Sequence, residues 1–230
     1  MNRLAAIVVV LLIGGTAAAF AYTQGLKQTK SPIFATQIQP RRGQFSPTCA
    51  CSTKFMHIAF GLRRDDHLSI EIVKSNGDVV RTLVADRAVR KGFRGFTWNG
   101  RGDDGKTLPD GVYKARVELA DADRTIDLPN RLVLDTVPPR VTGASARKIG
   151  PNLVVRYRFD GQAHALLFVG DTRIEKTFRY KPVGTMTVPL ATIGRRGGSG
   201  AVAVGAEDLA GNVSKLRVLR LQILSVNQTG

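Results

Sequence analysis

Residues that carry out catalysis or bind metals are scarce in this chain. The 230 residues include three histidines and two cysteines, and the histidines (His57, His67 and His164) are far apart in the sequence. The chain has no His-Glu-x-x-His zinc motif, no Gly-x-Ser-x-Gly nucleophile elbow and no phosphate-binding loop. Its acidic residues form no obvious pair for glycoside chemistry. The sequence therefore predicts a protein that is not an enzyme, with no cofactor and no metal site.

The two cysteines, Cys49 and Cys51, are separated by a single residue, which leaves their chemistry open. A direct disulfide between them would be strained but feasible. An even number of cysteines outside the cytoplasm favours oxidation. An intermolecular disulfide and two free thiols are alternatives, whereas a soft metal would gain His57 as a third ligand but lack a fourth. We expect a disulfide, within the chain or between two chains.

Acidic residues are also few, and their deficit is uneven along the chain. With 34 Lys and Arg against 18 Asp and Glu, the formal net charge is +16. Residues 44–139 carry a net charge of +2, whereas residues 140–230 carry +9 from 14 basic and five acidic side chains. This asymmetry predicts that the C-terminal part faces an anionic partner. The alternative is that the excess arginine only keeps the protein soluble.

Basic residues of the C-terminal part are the candidate ligand-binding residues. Arg156 and Arg158 are two positions apart in an apolar run, so they share one face of a strand. Few aromatic residues lie among the basic ones, which disfavours nucleic acid as the partner. An anionic polymer of the cell envelope suits this pattern better. The candidates are Arg156, Arg158, Arg173, Lys176, Arg179, Lys181, Arg195 and Arg196.

Only one long hydrophobic run is present, and it lies at the N-terminus. Leu4–Tyr22 (LAAIVVVLLIGGTAAAFAY) has no charged residue over 19 positions, about the length that crosses a bilayer as a helix. Residues 1–22 are therefore predicted to be a signal-anchor of a single-pass membrane protein. The alternative is a signal peptide cut near Ala21, followed by secretion. In both cases we expect the domains outside the cytoplasm, because long domains are translocated largely regardless of charge.

No other segment has sustained helical periodicity, and short apolar runs alternate with turn signals instead. In His67–Val73, for example, Leu68, Ile70 and Ile72 share one face, as in a half-buried strand. Asn76-Gly77 then predicts a type I′ hairpin turn with positive φ at both residues. Strands of this length and spacing predict an all-β protein made of β-sandwiches.

A proline pair divides the rest of the chain. Pro138-Pro139 ends strand pairing and stiffens the backbone, so we place a domain boundary there. Residues 23–43, which are polar and basic and include two prolines, are predicted to be a linker. The first domain is predicted at residues 44–137 and the second at residues 138–226.

The stretch Phe96–Val117 (FTWNGRGDDGKTLPDGVYKARV) contains an Arg-Gly-Asp triplet and several carboxylates. Counted from Asn99 as an EF-hand loop, position 3 is Arg101 and position 12 is Asp110, so the calcium pattern fails. Three-residue matches to an adhesion motif are common by chance. Its Asn-Gly and Asp-Gly pairs are turn signals, and Trp98 is a large apolar residue for a core. The stretch is predicted to be a corner between two strands.

Four motifs resemble the Ig-like module of flagellar hook-capping proteins, over about residues 55–120. They are Gly77–Leu83 (GDVVRTL), Phe96–Gly100 (FTWNG), Asp104-Gly105 and Leu108–Tyr113 (LPDGVY). Two shorter matches look like the junction and a late turn of bacterial Ig-like repeats. These are Leu134–Thr136 with Pro138-Pro139, and Ala206–Ser214. The resemblance implies two tandem Ig-like β-sandwiches that serve as spacer or binding modules, and it does not imply a flagellar role.

The sequence thus predicts a non-enzymatic, membrane-tethered, extracytoplasmic Ig-like protein at the bacterial cell envelope. It would act as a binding or spacer module and dock on an anionic polymer through its basic second domain. The alternative is a structural or accessory subunit of an envelope protein assembly, which would pair with another envelope protein through sheet edges.

Overall fold

The computed structural model of the protein describes residues 3–27, 30–196 and 200–222. It begins with helix α1 (Arg3–Lys27). From Ile7 to Ile13 the apolar side chains of this helix are 51–69% exposed, and no described residue of α1 belongs to either hydrophobic core. Among the described residues, no helix is both long and apolar enough to cross a membrane. The predicted membrane span at residues 4–22 is therefore not supported.

The strands that follow α1 form a first β-sandwich. They are β1 (Ile33–Gln39), β2 (Gln44–Phe45), β3 (Met56–Leu62), β4 (Asp66–Lys74), β5 (Val79–Val89), β6 (Gly92–Trp98), β7 (Gly111–Leu119), β8 (Arg124–Asp127) and β9 (Leu132–Leu134). One sheet has the order β1-β3-β6, and the other has the order β2-β9-β7-β4-β5 with β8 paired to β7. Side chains from both sheets meet in one core.

Period-two alternation of apolar residues builds this core. Strand β4 buries Leu68, Ile70 and Ile72, while the residues between them are less buried. Ile58 and Phe60 of β3 belong to the same core from the opposite sheet. Because successive side chains of a strand point to opposite faces, this spacing places the apolar set on one side. Burying one such side chain stabilises the fold by about 1.5–3 kcal/mol.

A second sandwich with its own core follows the proline pair. Its elements are β10 (Val141–Ile149), β11 (Asn152–Phe159), β12 (His164–Val169), β13 (Thr172–Lys176), β14 (Val183–Pro189), α2 (Leu190–Arg196), β15 (Val202–Glu207), β16 (Arg217–Val218) and β17 (Leu221–Gln222). The sheets have the orders β14-β11-β10-β17 and β13-β12-β15-β16. The described part of the chain is thus mostly β-structure in two sandwiches, as predicted.

Some elements differ from the prediction. Residues 33–39, assigned to the basic linker, form β1 and pair antiparallel with β3. Only Ile33 of this strand is fully buried, so it lacks the apolar alternation that marks the other strands. Strand β10 buries only Ala146, and α2 has seven residues. Each of these segments is too exposed or too short to give a clear periodic signal.

The β4–β5 hairpin forms at the predicted place with a different turn. Gly77 has a φ of +93°, whereas Asn76 is not among the residues with positive φ. The Gly77 amide donates to the Lys74 carbonyl at 3.0 Å, and the Lys74 amide donates to the Asp78 carbonyl at 2.9 Å. These bonds close a three-residue loop with a left-handed glycine at its end. The predicted type I′ turn is therefore wrong.

Candidate functional site

The Arg-Gly-Asp stretch is a packed corner between β6 and β7. The buried Trp98 ring lies 5.1 Å from the Phe45 ring and 5.2 Å from the Tyr113 ring, measured between centroids. Its Nε1 donates to the Arg101 carbonyl at 3.0 Å. The Tyr113 hydroxyl donates to the Pro109 carbonyl at 2.7 Å. Core packing and these two bonds therefore fix both ends of the corner, as the turn residues predict.

The carboxylates of this corner all have structural partners. Asp103 accepts from the backbone amide of Thr82 at 3.1 and 3.2 Å. Asp104 accepts from a backbone amide within the corner at 3.0 Å. Asp110 accepts from the amide and the hydroxyl of Thr136 at 3.0 and 2.9 Å. Among the described residues, no group of three or more His, Cys, Asp or Glu side chains is placed to hold a metal ion.

Cys49 and Cys51 form a disulfide with each other, and their loop lies against a turn between β15 and β16. The Thr53 hydroxyl donates to the Ala210 carbonyl at 2.6 Å, and the Cys51 sulfur lies 4.0 Å from the same oxygen. Gly211 approaches Cys51 and Thr53 so closely that a Cβ at this position would collide with both side chains. The disulfide loop is therefore part of the contact between the domains.

The same turn is joined to the end of the first domain by Asn212. Its side-chain amide donates to the Asp135 carbonyl at 2.9 Å and to the Asp208 carboxylate at 3.0 Å. Burial raises the pKa of the Asp135 carboxyl above its ordinary value, and the charges of Asp208 and Asp110 add to this effect. The motif that looks like a late turn of bacterial Ig-like repeats thus connects the two domains.

Three arginines lie on the outer face of the sheet β14-β11-β10-β17. Arg156 and Arg158 of β11 are exposed and lie opposite Ser145 and Gly143 of the neighbouring strand β10. Arg147 is two residues beyond Ser145 and exposed, so it lies on the same face, diagonal to Arg156. We call the surface formed by Arg147, Arg156 and Arg158 the basic sheet face.

The basic sheet face carries no compensating negative charge within its strands. No acidic residue occurs in β10, β11 or β14, and none of the three arginines forms an ion pair within the described part of the chain. Thr185 and Val183 of β14 lie beside Arg156 and Arg158. These two arginines border a shallow depression of about 400 Å³, which Gly184 also lines. A large anion can therefore approach the guanidinium groups closely without displacing existing ion pairs.

The other six predicted residues lie elsewhere in the second domain. Arg173 and Lys176 are on β13, Arg179 and Lys181 are in the β13–β14 loop, and Arg195 and Arg196 are in α2. Strand β13 belongs to the opposite sheet, and the Lys176 ammonium is paired with Glu207 at 2.7 Å. The structure therefore divides the predicted set among several places, and it brings only Arg156 and Arg158 together on the basic sheet face.

The first sandwich, including its corner, is similar to a known domain family. Residues 56–123 match the FlgD Ig-like domain. This match confirms the predicted resemblance, whose expected limits were about residues 55–120. It includes the Trp98–Tyr113 corner and the strands on both sides of it. We call residues 56–123 the FlgD-type domain. Ig-like domain families are typically non-catalytic.

The whole chain has distant likenesses to solved structures. No curated protein matches it. The fibronectin(III)-like modules of Clostridium thermocellum CbhA are 14% identical, with a TM-score of 0.38 over 82% of this chain and 94% of theirs. The human OSCAR ligand-binding domain is 14% identical, with a TM-score of 0.40 over 80% of this chain and 95% of its own. Likenesses at this level carry no argument about function.

The histidines do not form a catalytic arrangement. In the FlgD-type domain, His57 Nδ1 lies 3.0 Å from the Thr97 hydroxyl, and His67 Nδ1 lies 3.2 Å from Asp121. The hydrogen bond to Asp121, together with the charge of that carboxylate, raises the pKa of His67. His164 is in the second domain, where burial lowers its pKa and a nearby lysine adds to the effect.

Sequence reasoning missed Arg147 because it missed strand β10. A signal was present: Gly150-Pro151 is a turn pair shortly before the apolar run that contains Arg156 and Arg158. Pairing the two flanking segments across that turn matches Ser145 with Arg156. Arg147 then falls on the exposed face beside the two predicted arginines.

Proposed function

We propose that this protein is a non-enzymatic Ig-like binding module that docks on an anionic polymer of the bacterial cell envelope. The basic sheet face would make the contact. The observation that carries the proposal is the set of three exposed arginines on one face of the sheet. The strands β10, β11 and β14 contain no acidic residue.

Arginine chemistry supports a polymer as the ligand. A guanidinium group binds a carboxylate or phosphate through two parallel hydrogen bonds. A single exposed ion pair contributes only about 0–1 kcal/mol, so one anionic group would bind weakly. A polymer with regularly repeated anions engages Arg147, Arg156 and Arg158 together, and the contributions then combine. Since salt screens exposed charges over about 8 Å at physiological ionic strength, this binding is expected to weaken as salt is raised.

Two features support an extracytoplasmic location. The disulfide between Cys49 and Cys51 suits an oxidising compartment. The exposed apolar side chains from Ile7 to Ile13 suit a lipid or protein environment better than water. In this proposal residues 4–22 direct export and then hold the protein at the membrane. N-terminal sequencing tests the tether: a mature chain that begins near Tyr22 would show that the segment is cut and the protein secreted.

An accessory subunit of an envelope assembly is the second candidate. Strand β16 forms one edge of its sheet and pairs with β15 over two residues. Val218 of this strand is 65% exposed, and Leu216, which directly precedes the strand, is 44% exposed. An apolar edge of this kind can accept a strand from another protein. Such a contact would depend little on salt.

Binding of a fragment to isolated envelopes tests the proposal. Residues 31–230 include both cores and exclude α1, so this fragment is expected to fold. Its retention on envelope material would be measured at low and at raised salt. We expect retention that falls with salt and that is lost in the R147Q/R156Q/R158Q variant.

A charge-matched control separates this face from general basicity. The R124Q/R173Q/R195Q variant removes the same net charge from exposed positions elsewhere, and it should be retained like the unmodified fragment. Equal losses in the two variants would refute a role for the basic sheet face. Retention that does not change with salt, together with one co-purifying protein, would favour the accessory-subunit function. If the fragment is not retained at either salt concentration, a spacer role is the function that remains.

A further inference from the structure

A second polar pocket lies at the junction of the two domains. It has a volume of about 520 Å³ and is lined by Arg42 from the first sandwich and by residues of the second. The Arg42 guanidinium lies 5.0 Å from the centroid of the Tyr180 ring. Backbone bonds of Thr177 to Ala165 and of Lys181 to Ala163, both 2.9 Å, anchor the loop on either side of Tyr180. The pocket is therefore assembled from both domains on a fixed loop.

All charged side chains that line this junction pocket are basic: Arg42, Arg179 and Lys181. None of the three forms an ion pair among the described residues. The nearby Glu207 is already paired with Lys176 at 2.7 Å. The two guanidinium groups offer flat pairs of N–H donors that match the geometry of a carboxylate. The pocket thus favours a carboxylate-bearing ligand.

A buried histidine in the pocket has an unused hydrogen-bonding atom. His164 is only 8% exposed, and its Nδ1 has no hydrogen-bond partner. The ring packs against Tyr180 with 3.6 Å between centroids. Nδ1 has almost no solvent-accessible surface, so His164 supports the wall of the pocket and does not offer this atom to a ligand.

The rim of the pocket carries an aromatic ring that is not covered by the protein. Phe178 is 93% exposed, although large apolar side chains gain from burial. The face of an aromatic ring is electron-rich and attracts the positively polarised C–H groups of a sugar ring. Arg179 follows Phe178 directly in the chain. A ring-stacking surface and a carboxylate-binding group are therefore adjacent.

We propose that the junction pocket binds a uronic acid unit of a saccharide. Arg42 and Arg179 hold the carboxylate, and Phe178 packs against the sugar ring. This site is separate from the basic sheet face and does not require that face to bind anything. The choice of a saccharide over a nucleotide, which could also stack and pair with arginine, rests on the extracytoplasmic location proposed above.

Calorimetric titration of the 31–230 fragment with trigalacturonate tests the site. The methyl ester of trigalacturonate keeps the sugar rings and removes the charges, so it should bind at least about tenfold more weakly. The R42Q and F178S variants should each weaken trigalacturonate binding by about tenfold. Since Phe178 is almost fully exposed, F178S should not affect folding, and its unfolding temperature would be checked.

The R64Q/R124Q variant is the matched control, because it removes two exposed charges that lie outside both proposed sites, and it should bind trigalacturonate like the unmodified fragment. Loss of binding in an R156Q/R158Q variant, with no effect of F178S, would overturn the junction site and assign the saccharide to the basic sheet face. No binding of trigalacturonate, or equal binding of its methyl ester, would also overturn the proposal. Adenosine monophosphate that binds more tightly than trigalacturonate, with the same dependence on Arg42 and Phe178, would overturn the choice of a saccharide.

Discussion

A single methyl group at Gly211 is expected to disturb the contact between the two domains. Gly211 has a φ of +91°, and a Cβ there would collide with the side chains of Cys51 and Thr53. In the G211A variant one side of this contact must move. The hydrogen bond from the Thr53 hydroxyl to the Ala210 carbonyl, 2.6 Å long, lies directly beside the collision.

Two effects determine how much G211A lowers the free energy of unfolding. A left-handed backbone costs an L-residue about 1–2 kcal/mol. Losing the Thr53–Ala210 hydrogen bond costs about 1 kcal/mol more. The free energy of unfolding should therefore fall by about 2–3 kcal/mol. For a domain of 60–100 residues, each kcal/mol lowers the melting temperature by about 4–8 °C.

G150A is the matched control for the backbone cost. Gly150 has a φ of +53°, and nothing lies within 4 Å of a Cβ at that position. Scanning calorimetry should show that G211A destabilises the protein by about 1 kcal/mol more than G150A does. Residual dipolar couplings should also show a changed orientation between the domains in G211A alone. Equal destabilisation in both variants, with the orientation unchanged, would refute the packing argument.

Two further predictions concern the FlgD-type domain. Y113F removes the 2.7 Å bond to the Pro109 carbonyl and should lower the free energy of unfolding by about 1 kcal/mol in urea titrations; an unchanged value would show that this bond does not stabilise the corner. His67 should titrate above its ordinary pKa of 6.5 because of its hydrogen bond to Asp121, and D121N should return it toward 6.5 in NMR titrations. Because the folded pKa is raised, the pair stabilises the fold below about pH 6.5 and the effect is lost as pH rises through the folded pKa. An unshifted His67 in the unmodified protein would contradict this.

The sequence predicted those parts of the fold that depend on local pattern. The stretch around Trp98 was expected as a corner between two strands and lies between β6 and β7. The alternation of Leu68, Ile70 and Ile72 correctly identified the buried face of β4. The motifs around Trp98 identified the FlgD-type domain before any pairing was known. In each case short-range spacing and turn chemistry were sufficient.

Features that depend on contacts between distant segments were not predictable in this way. Arg147 joins Arg156 only through the register of β10 with β11, and β10 has too few buried residues to be recognised by periodicity, so the Gly150-Pro151 turn pair was its one sequence signal. The role of Thr53 at the domain junction depends on a bond to Ala210, 157 positions away. Arg42 was assigned to a linker, yet its side chain lies over Tyr180 of the second domain. One sequence contains no direct record of such pairings.

We propose that the basic sheet face binds an anionic envelope polymer, and NMR can map this contact directly. Amide spectra of the 31–230 fragment would be recorded during titration with anionic polymer extracted from the cell envelope of the organism that makes the protein. Binding through this face predicts that perturbed signals cluster at residues 143–147, 154–158 and 183–187, and that they recover when salt is raised. Perturbations confined to the opposite sheet of strands β13, β12, β15 and β16, or no perturbation at low salt, would contradict it.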